Sequence, residues 1–163
     1  MRLLLQRVTR AEVRVVDCAL TADAAAADSA PGAVVGRIGR GLLVLVGVAP
    51  ADGPTEVAWA TTRLLGLRVF ADAAGKMNLD LRAVGGELLL VSQFTLYADL
   101  GGGRRPGFSR AASPADAARV YDALAASLRA EGVALATGAF GRAMHVELVN
   151  DGPVTLWLDS AER

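Results

Sequence analysis

The apolar residues of this chain occur mainly in short runs separated by glycine-bearing or polar connections. Aliphatic and β-branched runs of about five to seven residues are typical of strands, whereas most helices are longer. The clearest run is residues 42–48, Leu-Leu-Val-Leu-Val-Gly-Val, which has no polar side chain and so predicts a strand in the centre of a sheet. The chain is therefore expected to be built mainly from strands around one core.

The strand-like runs predict a set of strands that are mostly sequential and antiparallel. They lie at residues 3–8, 12–16, 34–38, 42–48 and 87–92, and towards the end of the chain at 133–137, 144–149 and 154–158. Residues 9–11 separate the first two as a hairpin connection, and Gly39-Arg40-Gly41 supplies a turn between the next two.

Two segments have helical periodicity instead. In the first, Val57, Ala60 and Leu64 follow Pro54 at spacings of three and four residues. The second begins at Ser113-Pro114-Ala115-Asp116, which supplies a capping hydroxyl, a proline at the first helical position and an acid near the positive end of the helix dipole. The combined pattern predicts an α+β fold with an antiparallel, strongly curved, barrel-like sheet and two main helices.

The length of the chain limits it to one domain. With 163 residues, of which 53% are hydrophobic and 21% charged, it can bury one core, so we predict a single domain over residues 1–163. Residues 17–33 are small, weakly patterned and bounded by Pro31-Gly32, which indicates a flexible insertion, with a short alanine-rich helix as the alternative.

Composition excludes several classes of protein. No apolar run approaches the 18 or so residues of a membrane helix, and the apolar run after Arg2 is shorter than that of a signal peptide. A single cysteine, Cys18, and a single histidine, His145, leave no zinc-binding cluster. A formal net charge of zero argues against a histone-like nucleic-acid binder. We expect a cytoplasmic protein without a metal or cofactor.

The common catalytic signatures are missing, among them the phosphate-binding loop, the G-x-S-x-G elbow and H-E-x-x-H. Two unusual segments remain. Residues 92–99, Ser-Gln-Phe-Thr-Leu-Tyr-Ala-Asp, place an amide, an aromatic ring and a hydroxyl where an apolar strand ends, although an ordinary strand end would look similar. Residues 150–155, Asn-Asp-Gly-Pro-Val-Thr, suit either a turn or, if Gly152-Pro153 is cis, a rigid chiral gauge.

Single residues are less informative. His145 alternates with Met144 and Val146 on a predicted strand, so it is expected to face solvent or a hydrogen-bond partner rather than to act in catalysis. Arg104, Arg105 and Arg110 form the one dense basic patch of the sequence, beside a glycine run whose amides could meet phosphate. A solvated loop is the alternative.

Read together, these segments resemble the D-aminoacyl-tRNA deacylase family, also called D-tyrosyl-tRNA deacylase, over nearly the whole chain. The matching stretches are Gln6-Arg7-Val8, residues 39–48, Lys76-Met77-Asn78-Leu79, residues 91–97, Arg105-Pro106 with Phe108, and residues 149–155. The chain departs from the family pattern in the length of the insertion at 17–33, in Gly107 where a serine is common, and in His145 where a glutamine is common.

The resemblance implies a homodimer of barrel-like subunits with two active sites at the subunit interface. Gly152-Pro153 would be a cis peptide inserted into the partner's pocket, where its carbonyls hold the substrate's α-amino group and leave no room for an L side chain. Different D side chains would be accepted, and glycyl-tRNA would also be cleaved. The partner is then tRNA with its aminoacylated 3′ end, with no DNA or membrane involved.

The same resemblance assigns roles to individual residues. Catalysis maps onto Gln93, Phe94 and Thr95, with the Phe94 backbone N–H as oxyanion donor and the tRNA 2′-hydroxyl assisting attack. Thr95 is not expected to be the nucleophile, because no motif positions a base beside it. The residues implied in substrate binding and chiral selection are Gly152, Pro153, Ser92, Met144 and Arg7, and those implied in tRNA binding are Arg104 and Arg105.

Two rival functions remain open at this point. One is a related editing domain that removes an L-amino acid from tRNA, and the intact Gln93-Phe94-Thr95 and Gly152-Pro153 segments argue against it. The other is a non-catalytic RNA-binding dimer that uses Arg104, Arg105 and Arg110, and the neutral net charge makes it weaker.

Overall fold

The computed structural model describes residues 1–16 and 32–162, so most of the insertion predicted at 17–33, together with Cys18, lies outside the described residues. Two α-helices are described, α1 (Pro54–Gly66) and α2 (Pro114–Ala130). The described strands are β1 (Arg2–Val15), β2 (Val34–Ile38), β3 (Gly41–Gly47), β4 (Phe70–Ala71), β5 (Met77–Leu79), β6 (Glu87–Ser92), β7 (Leu135–Thr137) and β8 (Met144–Asp159).

The main sheet is mixed, so the prediction of an antiparallel sheet was wrong in part. β1 pairs antiparallel with β2, β3 and β8, but β3 pairs parallel with β6, and β6 parallel with β7. The physical reason is the connections: the chain passes through α1 between β3 and β6 and through α2 between β6 and β7, and such crossovers return the chain in the same direction. β4 and β5 form a separate antiparallel hairpin.

The two strands predicted at 3–8 and 12–16 are one strand, β1, so the predicted hairpin at 9–11 was wrong. Thr9 and Arg10 are exposed, but the chain bends there instead of reversing, and the register against β8 shifts on both sides of Val8. A bulge of this kind has the same polar, weakly patterned sequence as a turn.

The predicted turn at Gly39-Arg40-Gly41 does not pair β2 with β3 either. Ala11 lies opposite Ile38 and Val8 opposite Gly41, so the two strands follow one another along the same edge of β1. A third correction concerns the strands predicted at 144–149 and 154–158, because β8 runs through both, and the Asn150–Pro153 segment lies inside it.

Each face of the sheet has its own core. On one face, residues such as Leu5, Leu42 and Leu90 pack with Leu64 of α1 and Leu124 of α2, and all five are fully buried. On the other face, the curved sheet encloses a second cluster that includes Val8, Val13, Leu43, Leu89 and Val91.

The sheet nearly closes into a barrel where β2 approaches β7. A Cβ atom added at Gly36 would lie 2.7 Å from the carbonyl oxygen of Thr137, so only glycine allows this approach. The barrel-like curvature predicted from the sequence is thus confirmed.

The helices were predicted correctly. Ser113 caps α2 by accepting a hydrogen bond from the Asp116 amide at 3.2 Å, and Gly132 follows the end of the helix with φ of 76°. Among the described residues, no helix is long and apolar enough to cross a membrane.

Candidate functional site

The first candidate segment forms a tight turn at the end of β6. Ser92 ends the strand, the Gln93 amide donates to the Val46 carbonyl of β3 at 2.7 Å, and Phe94–Tyr97 form one turn of 3₁₀ helix. The Leu96 amide donates back to the Gln93 carbonyl at 3.2 Å. We call residues 93–97 the catalytic turn, because the catalytic roles predicted above fall on it.

Gly47 of β3 allows the catalytic turn to lie directly on the sheet. A Cβ atom added there would be 3.1 Å from the Leu96 Cβ and 3.2 Å from the Gln93 carbonyl oxygen. Those contacts are tighter than ordinary van der Waals distances, so a side chain would push the turn outward. The sequence reasoning did not identify this role, because nothing local distinguishes Gly47 from other strand glycines.

The outer side of the catalytic turn combines polar and aromatic groups. The Gln93 side-chain amide donates a hydrogen bond to the Thr95 hydroxyl, and Phe94 is 51% exposed. Phe94 and Phe108 pack edge to face with ring centroids 4.8 Å apart. Because Phe94 is the first residue of its helical turn, its N–H has no carbonyl of that turn to bond. The arrangement offers a backbone donor beside an exposed hydroxyl and amide.

The hydrogen bond from Gln93 bears on the role of Thr95. A hydroxyl becomes a strong nucleophile when a neighbouring base takes its proton, and a carboxamide is not such a base. The contact orients the Thr95 oxygen without activating it.

Met144 at the start of β8 lies close to the strand that carries the catalytic turn. Its sulfur accepts a hydrogen bond from the Ala139 amide at 3.2 Å. A Cβ atom added at Gly138 would lie 2.9 Å from that sulfur and 3.6 Å from a methyl group of Val91, one residue before Ser92. The structure thus places Met144 beside the end of β6.

Asn150 braces the Gly152-Pro153 segment within β8. The Asn150 Oδ1 accepts from the Val154 amide at 2.8 Å, and its Nδ2 donates to the Val154 carbonyl at 3.2 Å and to the Thr155 hydroxyl at 3.1 Å. The bracketed Gly152-Pro153 bond is cis, and both residues are exposed.

Arg7 on β1 also holds the segment that contains Gly152-Pro153, through contacts with Asp151. Its Nε donates to the Asp151 carbonyl at 2.9 Å and lies 3.1 Å from the Asp151 carboxylate, while its Nη1 donates to the Val69 carbonyl. The Arg7 side chain is only 12% exposed, so its guanidinium is largely shielded from water, whereas the Asp151 side chain is 40% exposed. Arg7 was predicted as a site residue near the Gly-Pro element, and it does contact that segment.

The structure does not bring the catalytic turn and Gly152-Pro153 together within one chain. Arg2 lies at the level of the catalytic turn and Arg7 at the level of Asp151, and five residues of strand at about 3.3 Å each make roughly 16 Å between them. The two segments also lie on opposite sides of β1, since β8 pairs with one edge and β3, followed by β6, with the other.

The loop of residues 99–107, which we call the basic loop, lies beside the catalytic turn. Arg104 and Arg105 are exposed, and the loop is pinned where Asp99 and Gly107 exchange backbone hydrogen bonds of 2.7 and 2.9 Å. Phe108, which contacts Phe94, follows at its end. Arg110 instead pairs with the Asp99 carboxylate at 3.3 Å, so part of its charge is compensated. The loop therefore presents the exposed side chains of Arg104 and Arg105 beside the turn.

Other titratable groups are less prominent. His145 is exposed on β8, as predicted. Burial raises the pKa of the Tyr97 hydroxyl well above its usual value, and the negative charges of Asp52 and Asp159 act in the same direction, so Tyr97 stays neutral.

Within residues 1–16 and 32–162, no group of three or more His, Cys, Asp or Glu side chains is placed to hold a metal ion.

The sequence of the chain as a whole is similar to those of a known protein family. A family model described as D-Tyr-tRNA(Tyr) deacylase matches residues 4–159. The D-aminoacyl-tRNA deacylase of Anaeromyxobacter dehalogenans (strain 2CP-C) is 51% identical over 160 residues, which cover 98% of this chain and 97% of that protein. The D-aminoacyl-tRNA deacylase of Thermomicrobium roseum (strain ATCC 27502 / DSM 5159 / P-2) is 50% identical over 162 residues, or 99% and 96% of the two chains.

Solved structures also share the fold. The c-Myc DNA Unwinding Element Binding Protein superposes with a TM-score of 0.83 and 34% identity, covering 98% of this chain and 99% of that one. A probable eukaryotic D-amino acid tRNA deacylase gives a TM-score of 0.75 at 18% identity, covering 96% and 97%, which is a likeness of fold alone.

Proposed function

Because this chain belongs to the D-aminoacyl-tRNA deacylase family and is an ester hydrolase that acts on D-aminoacyl-tRNA, we propose that it works as a homodimer whose two sites each draw on both copies. One copy supplies the catalytic turn and Met144, and the other supplies Gly152-Pro153. The observation that carries this proposal is the separation of the two segments within one protomer, while the Gly-Pro segment is exposed and held by Arg7 and Asn150.

Chiral selection follows from the backbone of the Gly-Pro segment. Carbonyl oxygens are acceptors only, so they suit the ammonium group of an aminoacyl ester. Once that group and the ester are both held, the position that an L side chain needs is occupied by the partner's Gly152-Pro153. The side chain of a D-amino acid points away, and glycine has none, so we propose that glycyl-tRNA is cleaved as well.

The reaction breaks the ester bond between the amino acid's carbonyl carbon and the terminal ribose oxygen. Water adds its hydroxyl to that carbon, and its remaining proton goes to the ribose oxygen, which yields the free D-amino acid and tRNA. The Phe94 N–H stabilises the negative charge that develops on the carbonyl oxygen, Gln93 helps to orient the substrate, and the ribose 2′-hydroxyl assists the attack.

The rest of the tRNA end is bound beside the catalytic turn. Arg104 and Arg105 are suited to phosphate oxygens, and the exposed Phe94–Phe108 pair offers a ring surface next to them. Ser92 lies at the strand end beneath the turn and helps to line the pocket. We place this activity in the cytoplasm, where aminoacyl-tRNA is used.

The decisive experiment compares matched D- and L-tyrosyl-tRNA as substrates for metal-stripped protein with a chelator present. Rapid loss of the D ester alone would support a chiral deacylase whose chemistry rests on this chain and the tRNA. Faster cleavage of the L ester would favour the editing-domain rival. Binding of tRNA with both esters intact would favour the non-catalytic RNA-binding dimer.

Replacing Thr95 with alanine is expected to leave measurable turnover, within about tenfold of wild type, because the Gln93 amide orients its hydroxyl but does not activate it. Single-turnover hydrolysis of D-tyrosyl-tRNA measures the effect, with Thr62→Ala as a control that removes an exposed hydroxyl from α1. Complete loss of activity in a folded Thr95→Ala protein would show that Thr95 takes part in the chemistry.

A further inference from the structure

The Arg2 side chain connects the catalytic turn to β8, which pairs with the other edge of β1. Its Nη1 donates to the Leu96 carbonyl at 2.9 Å, and its Nε donates to the Asp159 carboxylate, also at 2.9 Å. The guanidinium carbon lies 4.5 Å from the centre of the Tyr97 ring and 5.5 Å from that of the Trp157 ring. One side chain therefore joins the turn to the last strand through hydrogen bonds and cation–π contacts.

The strand register explains how Arg2 reaches the turn. Arg2 lies opposite Gly47 on β3 and opposite Asp159 on β8, and directly opposite residues project from the same face of a sheet. Because Gly47 has no side chain, the arginine can extend across β3 to Leu96. The glycine that lets the turn approach the sheet thus also leaves space for the side chain that holds it.

The contacts of Arg2 differ from those of an ordinary surface ion pair. The Arg2 side chain is 27% exposed and that of Asp159 only 10%. Burial by itself would raise the pKa of Asp159, but hydrogen bonds from the Ala161 amide and from Arg2 outweigh it, and the pKa is lowered. Asp159 is therefore ionised and holds one edge of the guanidinium, which directs the other edge at Leu96.

We propose that Arg2 is a positioning residue for hydrolysis, one that sets the orientation of the Phe94 N–H by fixing the Leu96 carbonyl. This inference rests on the proposed role of that N–H. Phe94 and Leu96 belong to the same single turn of 3₁₀ helix, so a shift of the Leu96 peptide moves the Phe94 amide with it. Catalytic donors act only within a narrow range of positions, and a displacement of about 1 Å can cost a hundredfold in rate.

The test uses three variants of the full-length protein. Arg2→Met removes every donor while keeping a long side chain, and Arg2→Lys keeps the charge but not the two-edged geometry. Arg10→Met is the matched control, since Arg10 lies on the same strand in an exposed ion pair with Glu147 at 2.9 Å, away from the turn. Single-turnover hydrolysis of D-tyrosyl-tRNA, measured over a range of enzyme concentrations up to saturation, gives a limiting rate constant that does not depend on the fraction of active protein.

Arg2→Met is expected to lower that rate constant by about ten- to a hundredfold, with the half-saturating enzyme concentration changed less than about twofold. Arg2→Lys should recover part of the rate, and Arg10→Met should match wild type. A wild-type rate constant in Arg2→Met would overturn the proposal. If Arg2→Met does not fold, a wild-type rate constant in Arg2→Lys overturns it instead.

A second readout separates this proposal from the proposed function. The ¹⁵N and ¹H chemical shifts of the Phe94 amide should change in Arg2→Lys and stay the same in Arg10→Met. Absence of D-tyrosyl-tRNA cleavage by the unsubstituted protein would count against the proposed function alone. An unchanged Phe94 amide in Arg2→Lys would count against the role of Arg2 whatever the substrate.

Discussion

Replacing Phe94 with proline is expected to lower the rate of D-tyrosyl-tRNA hydrolysis by about 10²–10³-fold, which is the usual cost of losing one oxyanion donor. Proline lacks a backbone N–H, so the substitution removes the proposed donor itself. Single-turnover hydrolysis with enzyme in excess measures the effect on the chemical step.

The backbone at this position suits a proline. Phe94 is the first residue of its helical turn, where proline is well tolerated. Gln93 before it has φ of −147° and ψ of 79°, outside the α-helical region that a following proline disfavours. We therefore expect Phe94→Pro to fold, which circular dichroism and the thermal midpoint would check.

Phe94→Ala is the matched control because it removes the same ring and keeps the N–H. The ring is half exposed and packs on Phe108, so its loss is expected to remove about 0.5–1.5 kcal/mol of packing energy. The rate of hydrolysis should therefore fall by roughly tenfold at most. The difference between the two variants isolates the backbone donor. Equal rates for Phe94→Pro and Phe94→Ala would show that the Phe94 N–H does not take part.

Replacing Gly152 with alanine is expected to abolish most D-tyrosyl-tRNA hydrolysis, by about a hundredfold or more, because the Gly-Pro segment cannot keep its geometry. Gly152 has φ of 141°, which L side chains rarely adopt, and an added Cβ would lie 2.8 Å from the Val154 amide nitrogen and 3.1 Å from Arg7 Nη2. The backbone atom cannot give way without breaking the bond that Val154 donates to Asn150. Some loss of stability, about 1–3 kcal/mol, should accompany the change.

Gly66→Ala serves as the control for Gly152→Ala. Gly66 ends α1, and a Cβ atom added there meets nothing within 4 Å. This variant should therefore match wild type in rate. Retained activity in a folded Gly152→Ala protein would contradict the proposed role of the Gly-Pro segment.

Phe94→Pro and Gly152→Ala together test whether each active site uses both copies of the chain. A purified heterodimer of one Phe94→Pro copy and one Gly152→Ala copy would contain one site with an intact catalytic turn and an intact Gly-Pro segment. It should have about half of the wild-type rate per dimer, although both parent homodimers are nearly inactive. A heterodimer as inactive as its parents would show that each site is built within a single chain.

Helices and site segments could be predicted because their signals are local. Pro54 and Ser113 mark helix starts that depend on the nearest few residues, and the apolar spacing that follows selects the buried face. The resemblance likewise indicated Gln93-Phe94-Thr95 and Gly152-Pro153 from contiguous residues.

Strand connections were the weakest predictions, because a bend and a reversal use the same residues. Thr9-Arg10-Ala11, Gly39-Arg40-Gly41 and Asn150-Asp151-Gly152-Pro153 all suit turns, yet each continues along the direction of its strand. Whether the chain reverses is decided by which distant strand offers hydrogen bonds, and no local pattern encodes that partner.

The sequence by itself determined the α+β class, the helix starts, the apolar segments and the chemical identity of the two motifs. Only the tertiary structure decided that the motifs lie apart in one protomer, that Gly47 makes room for the catalytic turn, and that Arg2 reaches Leu96. The reason is the separation along the chain over which each interaction acts. Capping and periodicity act over a few residues, whereas the Arg2–Leu96 and Arg7–Asp151 contacts join residues that are 94 and 144 positions apart. Such contacts exist only once the sheet has brought its strands into register.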